Sequence, residues 1–424
     1  MGIKHLKTIL ETLCQGSGIH HFPSVKDFIT AEKNRFYRED NTHKNICNPI
    51  KKLQIKKLIN DCPYFVGIDA YLYAIRYKRV FKKIEYGFLR QILLSLSAKI
   101  IPIYVFDGST PEQKKKTVFN RQLKKQKIYQ KLQELILKNN GILGKEISYL
   151  SAQELEKLEV IDDGINLLIN EEENSSHLLY SSDYSEECNE IIRLKKKTQT
   201  IDHNDIHNLK CFLDLLGIPH ITADGEADDM LALLYKKNII QACQSDDMDM
   251  LPKGCGNVIQ ITNKGITQYM LNEILEKLAL EYNQFIDLCI LLGSDYYTTY
   301  LPKIKAIELY NTFKSHDNPC LENFVKAYSQ TDINIQAHLE SYQKIRDLFL
   351  HAEKINSKLN AIHNLDKVKI VGKLKPIKLD TIIRYFNNVG IRFDDNHYQK
   401  INQMLTNSNN FILSLQSNTS DRST

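Results

Sequence analysis

The stretch QSDDMDMLPKG (244–254) places carboxylates at Asp246, Asp247 and Asp249, directly after an apolar run that begins at Ile239. Like charges this close repel, so the segment needs water, a basic neighbour or bound cations. More acids stand where other apolar runs end. YFVGID (64–69) closes on Asp69, and KIIPIYVFDG (99–108) delivers Asp107. ADGEADDML (223–231) carries Glu226, Asp228 and Asp229, and LCILLGSDYY (288–297) places Asp295 just past Gly293. Any one of these acids alone reads as an N-cap, a turn residue or a solvated loop charge. Asp246 and Asp229 stay in that class. Asp69, Asp107, Glu226, Asp228, Asp247, Asp249 and Asp295 share a position at an element's end. Hard oxygen donors of this kind suit Mg²⁺ or Mn²⁺. Brought together, they would hold two ions about 3.5–4 Å apart, which activate water and stabilise the leaving oxygen in phosphodiester hydrolysis.

The elements that must gather these acids can be read from the surrounding pattern. Apolar runs at 64–69, 99–106 and 238–244 read as strands, with helices expected after Asp69 and over roughly 82–97. Leu209, Phe212, Leu213 and Leu216 form one helical face, which Gly217 and Pro219 terminate. VIQIT (258–262) and ITQYML (266–271) read as a hairpin. Strands alternating with helices imply a parallel sheet, where ligands collect beyond the strands' carboxyl ends. The acids would therefore meet at one sheet edge. In an extended segment Asp247 and Asp249 point one way and Asp246 the other. On a regular helix Asp229, not Asp228, shares a side with Glu226, so either the first turn is irregular or Asp229 is the ligand.

Composition narrows the class. A 424-residue chain with 42% hydrophobic and 25% charged residues is long enough for one large domain with insertions or several smaller ones. A net charge of +5 does not by itself demand a polyanionic partner. Nine Cys without a C-x-x-C pair argue against a zinc ribbon and read as reduced thiols. Neither a signal peptide nor an apolar run of membrane-spanning length is evident, so no membrane association is expected. Residues 11–60 read as a polar insertion. Residues 112–200 begin basic and end acidic and Ser-rich. Beyond about 300 the chain reads as helical, with a disordered tail. His203 and His207 lack zinc-spaced partners, and no Gly-rich phosphate loop, dinucleotide fingerprint or G-x-S-x-G nucleophile is present.

At these residues the sequence resembles the flap endonuclease and xeroderma-pigmentosum-G group of structure-specific 5′ nucleases. The resemblance rests on MGIKHL, FVGIDAYLY, PIYVFDGSTPEQKK, LLGIPHITADGEADDMLALL, QSDDMDMLPKG and LLGSDY, in that order. It implies an α/β, PIN-like nuclease core with a mostly parallel central sheet, a helical arch insertion and a helical C-terminal region. The implied divisions are a core at 1–111 and 201–300, an arch at 112–200 that passes a single-stranded 5′ end, and a DNA-binding region at 301–424. It places metal ligands on the same seven acids, with Asp228 in preference to Asp229. It assigns Lys114 and Arg121, seven apart on one helical face, to the scissile phosphate. Gly2, Lys115, Lys124, Lys303 and Lys305 are the further candidate DNA contacts.

The implied activity is Mg²⁺-dependent cleavage of flapped or branched DNA, two ions per site with Mn²⁺ able to substitute, by a monomer. Replication, repair or recombination is the setting, which implies the nucleus, or the host nucleus if the chain is viral. Three departures stand out. One is the 11–60 insertion. Another is TTYLPKIKAIELY, which lacks the glycines of the family's cation-binding hairpin. The third is Ile75, where a stacking Tyr is usual, with Tyr73 and Tyr77 flanking it as core candidates. No sliding-clamp motif is evident near Gln403. A DNA-junction binding protein without turnover is the competing class. An Asp247 phosphatase is disfavoured by Leu251 and by the other acids.

Overall fold

YFVGID is apolar on both faces, which suits a strand covered by helices above and below. In the computed structural model it forms β2 (Tyr64–Asp69), an interior strand of a seven-stranded sheet. The structure describes residues 3, 5–42, 63–81, 83–138, 186–262, 265–296, 305–328, 335–350 and 367–420. On one side of β2 lie β3 (Ile100–Phe106) and β4 (His220–Thr222), each parallel to its neighbour. On the other side lie β5 (Ala242–Gln244) and β6 (Asn257–Thr262), also parallel. β7 (Gly265–Met270) returns antiparallel to β6, and β1 (Ile19–Phe22) closes the edge antiparallel to β7. The mostly parallel sheet and the hairpin agree with the sequence expectation.

Helices cover both faces. Before β2 come α1 (Leu6–Leu13) and α2 (Val25–Thr42). α3 (Ala70–Val80) and α4 (Ile84–Ser97) connect β2 to β3. α5 (Lys115–Lys138) and α6 (Glu186–Thr198) follow β3, and α7 (His203–Leu216) leads into β4. Asp202 and Asp205 form a capping box at the start of α7, and Gly217 ends it at φ 68°. α8 (Ala227–Lys236) is the acidic helix. α9 (Leu271–Leu278), α10 (Tyr282–Leu292) and α11 (Ala306–Lys314) follow the hairpin. Then come α12 (Leu321–Tyr328), α13 (Ile335–Leu350), α14 (Lys367–Lys373), α15 (Leu379–Asn388) and α16 (Asp395–Ser420).

Two expectations need correcting. The 11–60 stretch is not simply a polar insertion: β1 joins the sheet, and α2 buries Phe28 completely. Glu32 on α2 accepts hydrogen bonds from Tyr64, Asn257 and Gln268, which satisfies a carboxylate that would otherwise be costly to bury. Residues 43–62 lie outside the described residues. The expected disordered tail is instead α16, helical to Ser420. Its Phe411, Ile412 and Leu415 are buried, and Ser408 Oγ donates to the Leu93 carbonyl of α4 at 3.1 Å. Within the expected arch, α5 and α6 pack on each other through Leu132, Ile191 and Leu194. Residues 139–185 lie outside the described residues.

Candidate metal centre

Because β2, β3, β4 and β5 run the same way, their carboxyl ends open at one edge. Asp69, the last residue of β2, caps α3 by accepting the Leu72 N–H at 3.0 Å. Asp107 follows β3 and accepts the Ala227 N–H at 2.8 Å, which ties the strand end to the first turn of α8. The two loops touch closely here: Gly108 N–H donates to the Gly225 carbonyl at 2.7 Å. A Cβ at position 108 would stand 2.1 Å from the Ala223 carbonyl oxygen, so only glycine fits. Glu226 holds the N-cap position of α8 without capping it, which leaves its side chain free to reach inward.

The segment after β5 departs from the extended geometry expected for it. Met248–Met250 is a 3₁₀ turn, and the Asp247 carboxylate accepts the Asp249 N–H at 3.0 Å. The turn still brings Asp247 and Asp249 together. Asp246 points away and pairs with Arg76. α10 ends at Gly293, at φ 86°, and the chain swings Asp295 toward the other two. Carboxylate oxygens of Asp247, Asp249 and Asp295 all lie within 4.8 Å of one another.

Part of this charge has no internal partner. Asp249 is fully buried, and neither of its oxygens has a partner; Asp228 leaves one buried oxygen unpartnered as well. Burial pushes the Asp69 carboxyl up to about 7, and the charges of Asp107 and Asp247 add to the shift. Asp249 is driven well above the usual carboxylate range by burial and by Asp247. Asp228 moves the same way through burial, Asp247 and Asp69. Asp107, at the exposed rim, is raised by the protein crowding it and by Glu226. These influences link acids from Asp69 to Asp295 pair by pair, across more than two hundred residues of sequence. Orphaned, buried, all-oxygen donors are what a hard divalent cation requires.

The basic residues sit on the opposite wall. Lys114 Nζ is 2.5 Å from Glu226 Oε1, and Arg121 pairs with the Asp295 carboxylate. Thr117 of α5 also donates to the Asp295 carbonyl. Lys114 and Arg121 thus face the acids together, as their spacing predicts. Lys115 is exposed and pairs with Glu112 at 2.9 Å, Lys124 is exposed on α5, and Lys305 is exposed before α11. None of these three is drawn into the acidic cluster. Gly2 and Lys303 lie outside the described residues. Tyr73 and Tyr77 are buried in the core, and the Tyr73 hydroxyl accepts from Gln244 at 2.6 Å. The half-exposed Tyr71 of α3 stands near Asp107 instead.

The XPG N-terminal domain family model matches residues 43–128, and the XPG I-region model matches 217–295. These spans contain all seven acids together with Lys114 and Arg121. Over these residues the chain is similar to the flap endonuclease and XPG family. A Sorghum bicolor protein named flap endonuclease 1-B is 28% identical over 270 residues, covering 62% of this chain and 51% of that protein. An Invertebrate iridescent virus 6 protein named probable RAD2-like endonuclease 369L is 24% identical over 340 residues, covering 75% and 78%. The chain thus spans about half the length of the plant relatives it matches. A solved structure of the Holliday junction-resolving enzyme GEN1, with product DNA and Mg²⁺, shares the fold at TM-score 0.50 and 12% identity. That superposition covers 95% of this chain and 78% of GEN1.

The chain carries two site residues that sequence reasoning did not select. Lys253 is 1% exposed, with Nζ 2.8 Å from Asp229, 3.3 Å from Glu226 and 3.8 Å from Asp228. Burial opposes its charge, but Tyr296, Asp229, Asp228 and Glu226 outweigh that and hold its pKa well above the ordinary lysine value. Tyr296, directly after Asp295, donates its hydroxyl to Glu226 and lies under both Lys114 and Lys253, with ring centroid distances of 5.2 and 5.4 Å. Burial alone would raise Glu226; Lys253 and Lys114 overcome it and hold the carboxyl down at about 2. A signal was present: Lys253 follows Asp249 by one 3₁₀ turn and a proline, in a run otherwise apolar. Asp229, ion-paired to Lys253, is not a free donor, whereas Asp228 keeps an orphaned oxygen.

Proposed function

We propose that this chain is a divalent-metal-dependent, structure-specific endonuclease or 5′ exonuclease that hydrolyses phosphodiester bonds in flapped or branched DNA. The observation that carries the reading is the buried, unpartnered Asp249 carboxylate clustered with Asp247 and Asp295, opposite Lys114 and Arg121. The donors are all carboxylate oxygens, which suits Mg²⁺, with Mn²⁺ able to substitute. Asp69, Asp107, Glu226, Asp228, Asp247, Asp249 and Asp295 are the residues that would hold it. The bound ion supplies Lewis-acid activation of water and charge stabilisation at the leaving oxygen.

The chain's own residues orient the rest. Arg121 is 42% exposed at its side chain and has guanidinium donors to spare beyond Asp295. Lys114 and Arg121 lie on one side of the cluster, placed to donate to two oxygens of a phosphate that bridges to the acids. Their positive charge offsets the negative charge that grows on the phosphate in the transition state. Exposed Lys115, Lys124 and Lys305, with Gly2 and Lys303, extend the DNA contact through backbone phosphates. Each lysine contact of this kind steepens the salt dependence of binding by about one unit of slope. Substrate choice then follows DNA shape and bending.

The chain divides into a nuclease core (1–111 and 201–300), an arch (112–200) that passes a 5′ single strand, and a helical DNA-binding region (301–424). It acts as a monomer in the nucleus, or in the host nucleus if its source is viral. Among the described residues no helix is long and apolar enough to cross a membrane. The test is a 5′-flap DNA and a small phosphomonoester, each incubated with Mg²⁺ and with chelator. Cleavage of the flap alone, abolished by chelator, is expected. Flap binding without cleavage would make the chain a junction-binding protein, and turnover of the monoester would make it a phosphatase.

A further inference from the structure

The donors of the metal centre fall into two unequal sets. On one side, Asp247, Asp249 and Asp295 bring oxygens within 4.8 Å of one another; Asp249 has no partner at either oxygen, and the cation on Asp295 is Arg121, whose side chain is 42% exposed. On the other side the charge is already answered. Glu226 Oε1 meets Lys114, and its Oε2 meets both Lys253 and the Tyr296 hydroxyl. Asp229 meets Lys253 at 2.8 Å, and Asp228 turns one oxygen toward the same ammonium.

Lys253 is not a mobile surface cation that an arriving ion could push aside. It is 1% exposed, and its backbone N–H donates to the Asp249 carbonyl at 3.2 Å. Gly254 follows at φ 91°, and a Cβ there would stand 2.7 Å from Lys236 Cε. The Gly254 N–H also donates to the Leu251 carbonyl at 3.0 Å, so the backbone is hydrogen-bonded at the lysine and after it, and the Tyr296 ring lies beneath its head. A divalent ion bound to Glu226 at ligand distance would sit beside a fixed ammonium 3.3 Å from the same carboxylate. At the low dielectric of a buried site, that repulsion is severe.

We infer that the Lys253 ammonium stands permanently in place of one divalent cation, so that this centre takes a single tightly held ion at Asp247, Asp249 and Asp295. The inference rests on the metal-dependent reading above, and revises its expected count from two ions to one. Lys253 is in these terms a positioning residue: it fixes Glu226 and Asp229 without touching the reacting phosphate.

The test is the number of Mn²⁺ ions bound per chain, measured by calorimetry and by the loss of the free Mn²⁺ spin-resonance signal. Metal-free wild type, Lys253→Met, and Lys253→Met with Asp229→Asn are titrated over the same range. The double variant lowers the uncompensated charge and guards against misfolding of the single one. One ion in the wild type and two in a folded variant are expected. Two ions in the wild type would overturn the inference and leave the nuclease reading standing. One ion in both wild type and variants would show that Lys253 does not set the count. No ion in the wild type would remove both the inference and the metal-dependent reading.

Discussion

The Asp107 carboxylate accepts the backbone N–H of Ala227 at 2.8 Å, joining two residues 120 positions apart. This bond sets the distance between the end of β3 and the start of the acidic helix. Gly108 makes it possible by letting the two loops approach to backbone contact. Gly108→Ala forces a Cβ against the Ala223 carbonyl, so the loop bearing Glu226 must shift. The expected result is a destabilisation of about 1–3 kcal/mol and weakened Mn²⁺ affinity, read by thermal unfolding and calorimetry. Gly372→Ala in α14, where a Cβ meets nothing within 4 Å, serves as the control and should be neutral or slightly stabilising.

Asp249 is a site residue that works against the fold. Its carboxylate is fully buried and unpartnered at both oxygens, so its charge costs stability whenever no cation is bound. Asp249→Asn should therefore stabilise the metal-free protein by about 1–3 kcal/mol while abolishing Mn²⁺ binding and DNA cleavage. A loss of stability in chelator would contradict this account of the residue.

The same strain predicts a pH dependence. Asp69 titrates at about 7 in the folded protein, against an ordinary value of 3.8. In that window the folded state holds a proton that the unfolded chain has released, so raising the pH removes stability. Asp107, Asp228 and Asp249 shift in the same direction. Glu226 shifts the other way, to about 2, and its contribution is lost only as the pH falls below 4.5. The Tm of chelator-treated protein should fall as the pH rises from about 5 to about 8. Saturating Mn²⁺ should flatten or reverse that slope, because ion binding favours the deprotonated carboxylates. A metal-free Tm that climbs through this range would count against the cluster.

Arg346 of α13 supports the site from behind. Its Nε and Nη2 each lie 2.7 Å from the Asp287 carboxylate of α10, and it also pairs with Glu322 of α12. Three residues on, Phe349 packs edge-on against Tyr296 with ring centroids 5.8 Å apart. Removing the guanidinium leaves the buried Asp287 charge with no cation and only the Leu321 N–H as partner, at the helix that delivers Asp295. Arg346→Met should cost about 3 kcal/mol, the lower end for a broken buried pair, since Arg346 remains 22% exposed at its side chain. Arg346→Lys should not restore it, because a single ammonium cannot make the two-pronged contact. Chemical denaturation measures both.

What the sequence reveals here follows the reach of each physical signal. Asp69, Asp107, Asp247 and Asp249 are legible because strand ends of a parallel sheet share an edge, and Glu226, Asp228 and Asp295 because they stand at the ends of apolar helices. Lys114 and Arg121 are legible from their spacing of seven, although Lys114 ends a 3₁₀ turn (Glu112–Lys114) and only Arg121 lies on α5. β1 is not, because IHHF is short and half polar, and its partner strand lies some 250 residues away, as in the pairing of Ile19 with Tyr269. α16 escapes notice because its buried residues, Ile401, Leu405, Ser408, Phe411, Ile412 and Leu415, are spread thinly through a polar segment. Lys253 looks like a loop charge in one dimension; only the folded chain encloses it among Glu226, Asp228 and Asp229. Asp228 and Asp229 cannot be told apart by helical spacing, and it is Lys253 that separates them.

The claim on which the rest depends is that carboxylates from distant parts of the chain gather to hold a divalent cation. Anomalous scattering from Mn²⁺ in crystals of the protein with a 5′-flap DNA tests it most directly. The account predicts a peak bounded by Asp247, Asp249 and Asp295, with the scissile phosphate between it and Arg121. Crystals in which bound DNA is visible but Mn²⁺ lies elsewhere on the protein, or nowhere on it, would contradict that claim.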